Sequence, residues 1–169
     1  FKGQNKIKVA FLKNNIRTTT SVAANSEHLK TDIQFLKNIP GVKNAEYSLD
    51  TINQKIKLIY HIEEITTALP IINFGGIKDN FWFRTGYSDN NWRGLGQTLV
   101  AYYQNNDGKH GAKLFFRTPQ MTKNKWGFAL SINKWSSIEP LFFSEGTVQY
   151  DYDNNGISFS PIYSFDRRR

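Results

Sequence analysis

Residues 125–135 read KWGFALSINKW, and their alternation decides the class of fold open to the second half of the chain. Large apolar residues occupy every second position, namely Trp126, Phe128, Leu130 and Ile132. Small or polar residues fill the positions between them, namely Gly127, Ala129, Ser131 and Asn133. Because side chains of a β-strand alternate between two faces, this period of two predicts a strand with one apolar and one polar face.

The same period extends in both directions from this segment. We predict seven strands, at residues 69–76, 80–88, 97–104, 111–118, 125–135, 142–153 and 156–165. Short runs with turn chemistry separate them, such as Asn105-Asn106-Asp107-Gly108 and Asp153-Asn154-Asn155-Gly156. The pattern therefore predicts an antiparallel up-and-down meander from Leu69 onward.

The pattern leaves the surroundings of this sheet open. A soluble sandwich turns its apolar face toward a second sheet, whereas a membrane barrel turns the apolar face toward lipid. The four tryptophans fit either rings at the two membrane interfaces or aromatics at the ends of a sandwich. They are Trp82, Trp92, Trp126 and Trp135.

The first 66 residues have mixed periodicity and predict the order β-α-β-β. Lys6 to Lys13 alternates apolar and polar residues, which favours a strand. A helix is expected to begin at Asn25 or Ser26 and to end at Pro40-Gly41. Strands are then predicted at residues 42–49 and 56–65.

Composition narrows the chemistry. The 169 residues include no cysteine, which excludes disulfides, thiolate metal sites and a cysteine nucleophile. The net charge is +8, but apart from Arg167, Arg168 and Arg169 the cations are dispersed and form no nucleic-acid motif, so we expect no nucleic-acid partner. His28, His61 and His110 fit no metal spacing, and Ser136, Ser137 and Ser144 have no nearby His and Asp to activate them as nucleophiles. We therefore expect neither an enzyme nor a cofactor.

Three stretches resemble the bacterial surface antigen family, the BamA/TamA-type outer-membrane barrels. Residues 35–64, FLKNIPGVKNAEYSLDTINQKIKLIYHIEE, resemble the end of a POTRA domain with its closing Glu64. The second stretch, residues 83–119, contains TGYSDNNWRGLGQTLVAYY, a short hairpin and KLFFRTP, and it resembles the opening barrel strands. Residues 163–167, YSFDR, resemble the family's Asp-x-Arg at a strand end. The residues that match the family's turn motif are Asp89, Asn90, Asn91, Trp92, Gly94 and Gly96.

The resemblance implies an α+β POTRA domain at residues 1–66, followed at 67–169 by the N-terminal strands of an antiparallel transmembrane β-barrel. The family's large loop inside the barrel and its closing strand are not found, so we expect this sequence to be part of a larger barrel. The implied location is the cell outer membrane, with the N-terminal part in the periplasm. Its implied function is the assembly and insertion of other outer-membrane proteins.

The implied partners are nascent outer-membrane proteins, periplasmic or lipoprotein accessory subunits, and outer-membrane lipid and lipopolysaccharide. The first barrel strand would act as a lateral gate, formed by Ile71, Ile72, Asn73, Phe74, Gly75 and Gly76. The two glycines would weaken that strand, or else only make a turn. The exposed edge of the POTRA sheet would carry Lys43, Ala45, Tyr47 and Leu49.

Two alternatives stay open. Within the superfamily, a secretion pore with POTRA domains or a barrel fused to a patatin lipase would carry the same segments. From another class, a soluble periplasmic or surface ligand-binding β module would show the same alternation.

Overall fold

The computed structural model describes residues 1–18, 25–52, 55–77, 80–119 and 126–164. Two helices come first, α1 (Val9–Asn14) and α2 (Ser26–Lys37). Eight strands follow, namely β1 (Val42–Ile52), β2 (Lys55–Glu64), β3 (Ala68–Ile77), β4 (Asn80–Trp92), β5 (Gln97–Asn106), β6 (Lys109–Thr118), β7 (Trp126–Phe143) and β8 (Gly146–Tyr163). None of the helices in these residues is both long and apolar enough to cross a membrane.

The predicted order β-α-β-β is wrong, and with it the POTRA fold class. The segment Lys6 to Lys13 contains a helix, so the observed order is α-α-β-β. Ile7, Val9 and Phe11 alternate as in a strand, but Leu12 follows Phe11 directly, and a strand would direct these two side chains to opposite faces. Ile7 and Leu12 are buried and Phe11 packs against them. Helix α1 brings both Phe11 and Leu12 to the core, so docking onto the core overrode the local period of two.

Helices α1 and α2 and strands β1 and β2, together called the N-terminal unit, enclose the apolar core. The start of α2 agrees with the sequence, since the Asn25 side chain accepts a hydrogen bond from the His28 N–H at 2.7 Å. A buried carboxylate, Asp32, is satisfied by the Tyr60 hydroxyl at 2.8 Å and the Arg17 N–H at 2.6 Å. Burial raises the pKa of the Tyr60 phenol, and the neighbouring carboxylate acts in the same direction.

Strands β3 to β8 form one six-stranded antiparallel sheet in sequence order. The predicted meander is thus present, but with one strand fewer. The run Asp153 to Gly156 remains extended and pairs with residues 133–136 of β7. The hairpin turns instead between Phe143 and Gly146. A continuous ladder with β7 outweighs the local turn preference of these four residues.

The register assigns each side chain to one of two faces. The residues opposite one another on the first face are large and apolar, for example Leu114, Ile132 and Ile157, or Phe116, Leu130 and Phe159. The other face carries residues such as Lys113, Asn133 and Gly156. These are called the apolar face and the polar face below. Ile157 is 79% exposed and Phe159 is 65% exposed, and no second sheet covers the apolar face within the described residues.

Candidate functional site

Strand β3 lies at the edge of the six-stranded sheet and pairs with β4 alone among the described strands. Ile77 pairs with Asn80 across a two-residue connection, so this pair is hydrogen-bonded and the ladder alternates from there. The hydrogen bond from the Asp107 N–H to the Phe81 carbonyl, at 3.0 Å, supports this alternation. It reaches Phe81 from the side of β4 opposite β3, so the Phe81 carbonyl points away from β3. The backbone groups of Ile71, Asn73 and Gly75 are therefore used within the sheet.

The free edge of β3 belongs to the alternate residues. The backbone N–H groups of Ile72, Phe74 and Gly76 point away from β4, where an added strand could pair with them. Pro70 points the same way as Ile72 and Phe74, so the position of its missing N–H is on the free edge, and the β3–β4 ladder loses no hydrogen bond. Within the predicted gate strand, only Ile72, Phe74 and Gly76 therefore offer backbone groups to an added strand. The backbone groups of the residues between them are used in the β3–β4 ladder.

The two glycines of this strand have different roles. The backbone of Gly76 has φ +109°, a conformation that other residues rarely adopt. Gly75 lies beneath the Trp82 indole of β4, and a Cβ added to it would approach the indole nitrogen to 3.1 Å. Trp82 therefore covers the position that Gly75 leaves open, and sequence reasoning missed this pair because only the strand register places the two residues opposite each other.

The residues of the predicted turn motif, Asp89 to Gly96, span the end of β4 and the turn after it, and a buried carboxylate organises them. Asp89 is 1% exposed and accepts hydrogen bonds from Thr67 Oγ1 at 2.6 Å and from the Asn91 N–H at 2.9 Å. Its other oxygen contacts Lys6 Nζ at 2.7 Å and the Tyr87 hydroxyl at 3.2 Å. Asp89 thereby joins the N-terminal segment, the entry to β3 and the turn itself.

The rest of the motif places the turn against the N-terminal unit. The Asn91 Oδ1 atom accepts a hydrogen bond from the Gly96 N–H at 2.7 Å, which closes the turn. A Cβ on Gly94 would overlap the Lys6 carbonyl oxygen, and one on Gly96 would meet the Phe11 ring at 2.6 Å. Asn90 and Trp92 are among the last residues of β4, and the centre of the Trp92 ring lies 6.3 Å from that of the Tyr87 ring. The glycines are needed because another chain segment occupies the space of their side chains.

Glu64 fastens the N-terminal segment a second time. Its carboxylate accepts hydrogen bonds from three successive backbone N–H groups, those of Asn5, Lys6 and Ile7, each at 2.9 Å. Burial alone raises the pKa of this carboxyl, but these bonds and the Lys6 charge outweigh it, so its pKa lies below its usual range. The closing Glu singled out by the sequence is thus the acceptor of a three-point backbone clamp.

The predicted edge of the first sheet is only partly available for binding. Strand β1 pairs with β2 on one side and with no other described strand. Ala45 is buried in the core, and Lys43 is paired with Glu63 at 2.6 Å. Tyr47 and Leu49 are exposed, 38% and 54%, so the accessible part of this edge lies toward the hairpin tip.

The chemistry available at these positions is hydrogen bonding and packing. Within the described residues, no group of three or more His, Asp or Glu side chains is arranged to hold a metal ion. His61 contacts Ser48 and His110 contacts Tyr103, both at exposed positions. The last three residues of the YSFDR match, 165–167, lie outside the described residues.

One comparison bears on this geometry. The chain is similar in structure to a crystal structure of BamA from Haemophilus ducreyi lacking POTRA domains 1–3, with a TM-score of 0.62 and 17% identity. The match covers 81% of this chain and 26% of that one, so the chain spans about a quarter of its length. No family model and no curated protein match. This likeness establishes the fold, a run of sequential antiparallel strands of the kind found in the BamA barrel.

Proposed function

We propose that this chain is part of an outer-membrane β-barrel that assembles other outer-membrane proteins, with the free edge of β3 as the site where an incoming strand pairs. The observation that carries the proposal is an edge strand whose outward backbone groups pair with no other described strand, in a sheet whose apolar face no second described sheet covers. Backbone pairing is indifferent to sequence, which suits a site that must accept many different strands.

The membrane part of the proposal is supported by the apolar face. A soluble sandwich requires a second layer over Leu130, Ile132 and Phe159, and the described strands provide none. Lipid chains cover an apolar face of this kind in a membrane barrel, so no second protein layer is needed. The polar face, with small residues such as Ser131 and Ser158, would then line the barrel lumen.

The N-terminal unit would lie in the periplasm and receive accessory subunits or incoming chains. Exposed Tyr47 and Leu49 at the tip of the β1–β2 hairpin support this role, because exposed apolar residues beside a free strand edge suit a docking segment. The process needs no covalent chemistry, so we propose a protein that is not an enzyme and uses no cofactor.

Site-specific photo-crosslinking in living cells tests the gate. Phe74 and Phe83 face each other directly across the β3–β4 ladder and are on the same face, but only Phe74 has its backbone on the free edge. A photo-crosslinker at Phe74 or Ile72 is expected to capture nascent outer-membrane proteins, and one at Phe83 to capture few. Equal capture at Phe74 and Phe83 would contradict the gate.

Depletion of the protein separates assembly from secretion. An assembly factor is expected to lower the amounts of many outer-membrane proteins at once. If the outer-membrane proteome stayed intact while a single secreted protein disappeared, a secretion pore would be the correct function.

A further inference from the structure

The polar face of the six-stranded sheet carries a cationic pocket that strand pairing does not use. Its side chains come from four neighbouring strands and enclose a cavity of about 290 Å³. The lining side chains on the polar face are Arg84, Tyr102, Gln104, Lys113, Asn133 and Trp135. Among the described residues that line the cavity, none carries a carboxylate.

Arg84 is held in place before any ligand arrives. The Gln104 Oε1 atom accepts hydrogen bonds from Arg84 Nε at 3.2 Å and Nη2 at 2.9 Å. The guanidinium carbon lies 4.6 Å from the centre of the Tyr102 ring, a cation–π contact. Two of the five guanidinium N–H donors are used in this way, and the remaining donors lie in a fixed plane. A fixed guanidinium binds a carboxylate with little loss of side-chain entropy.

Lys113 adds a second positive charge to the same cavity. It lies beside Tyr102 on β5 and Asn133 on β7, on the polar face. The described ion pairs of the second sheet involve Lys109 with Asp151 and Lys6 with Asp89, and neither Arg84 nor Lys113 has a carboxylate partner among the described side chains. Arg84 and Lys113 thus place two cations on the polar face of this cavity without a described counter-charge, and such a pair attracts an anion.

We propose that this pocket binds a carboxylate side chain of an acidic peptide segment on the polar face of the sheet. The cavity is much larger than a single small ion, and Tyr102 and Trp135 offer aromatic surface for the stem of an Asp or Glu side chain. The amides of Gln104 and Asn133 can bond the peptide backbone. The choice of peptide over lipid phosphate rests on the proposed barrel, whose lumen is separated from lipid by the sheet itself.

Carbodiimide cross-linking of the full-length protein in bilayers tests this pocket. The reagent joins a lysine amine to a carboxylate in direct contact, so mass spectrometry reads the partner residue wherever it lies. Lys113 is expected to be joined to an Asp or Glu. Lys113→Gln is expected to abolish this product, and Arg84→Gln to lower it about fivefold or more. Lys57→Gln, the same charge change at an exposed site of β2, is expected to leave it unchanged.

Two results would overturn the proposal. One is a Lys113 amine that reacts with an acylating reagent as fully as Lys57 and gives no cross-link. The other is a Lys113 amine that is protected from the acylating reagent but reacts with it once lipopolysaccharide is removed. That result would show that the pocket binds lipid phosphates. The folded barrel is checked by its heat-dependent gel mobility in each variant. Failure of the Phe74 capture experiment with a retained Lys113 product would reject the assembly function and leave this pocket standing.

Discussion

Replacing Asp89 by Asn is expected to loosen the N-terminal unit from the sheet while leaving the sheet folded. The Asp89 side chain is 2% exposed and its oxygens accept four hydrogen bonds, from Lys6, Thr67, Tyr87 and the Asn91 N–H. An amide that keeps its oxygen toward Thr67 and Asn91 turns its own NH₂ toward the Lys6 ammonium. That arrangement sets a donor against a donor and removes the ion pair.

The size of the effect follows from the exposure of each partner. Lys6 is 39% exposed and can return to water, so the loss of its ion pair is discounted to about 1 kcal/mol. The buried bonds from Thr67 and the Asn91 N–H lose their charged acceptor, at about 0.5–1 kcal/mol each. The sum is about 2–3 kcal/mol, which corresponds to local opening that is about 30- to 150-fold more frequent.

Hydrogen exchange at two amides measures this opening. The Lys8 N–H bonds the Gly94 carbonyl at 3.0 Å, and the Asn90 N–H bonds the Thr67 carbonyl at 3.3 Å. Both are expected to exchange faster in Asp89→Asn, while amides of β6 keep their wild-type rates. Asp107→Asn makes the same chemical change in an exposed turn and is expected to alter neither amide. Wild-type exchange at Lys8 and Asn90 in the Asp89 variant would refute the role of this carboxylate.

Three further predictions concern the clamp, the sheet and its faces. Because the folded-state pKa of Glu64 is depressed, its clamp stabilises the N-terminal unit above the unfolded pKa and is lost as pH falls through the folded pKa, so Glu64→Gln should flatten the acid limb of denaturation curves. Gly86→Ala places a Cβ onto the Ala101 carbonyl and should lower sheet stability by about 2 kcal/mol or more, read as a lower midpoint in urea; an unchanged midpoint would contradict the packing. Leu130→Arg on the apolar face should cost about 2–4 kcal/mol in a bilayer and Ser131→Arg much less, a difference that folding titrations into lipid vesicles resolve.

Much of the six-stranded sheet could be predicted from the sequence, because its alternation and its tight turns depend on residues that are close together in the chain. Alternation fixes which side chains share a face, as with Phe128, Leu130 and Ile132, and it survives any change of surroundings. The turn at Asp107-Gly108 was also predictable, since both residues have positive φ, at +49° and +77°, as a tight hairpin requires. The turn predicted at Asp153 to Gly156 was wrong, because the local turn preference of these residues is weak compared with the pairing energy of a continuous strand ladder.

The candidate functional positions depend on contacts between residues that are distant in sequence. Lys6 meets Asp89 across 83 positions of sequence, and no local pattern marks Lys6 as the partner of a buried carboxylate. Glu64 was noticed as a closing residue, but its acceptance of three backbone N–H groups is a property of the folded chain. Likewise, the free edge of β3 belongs to Ile72, Phe74 and Gly76 only because the hairpin phase directs the intervening residues toward β4.

By itself the sequence determined the strand period, the two faces and the start of α2, because each follows from side-chain chemistry within a few residues. Tertiary structure alone decided that Lys6 to Lys13 contains a helix, since Ile7, Val9 and Phe11 follow the period of a strand while the core takes up Phe11 and the adjacent Leu12 from α1. It also decided the anchoring of the turn after β4, because a buried carboxylate is stable only where distant donors converge on it.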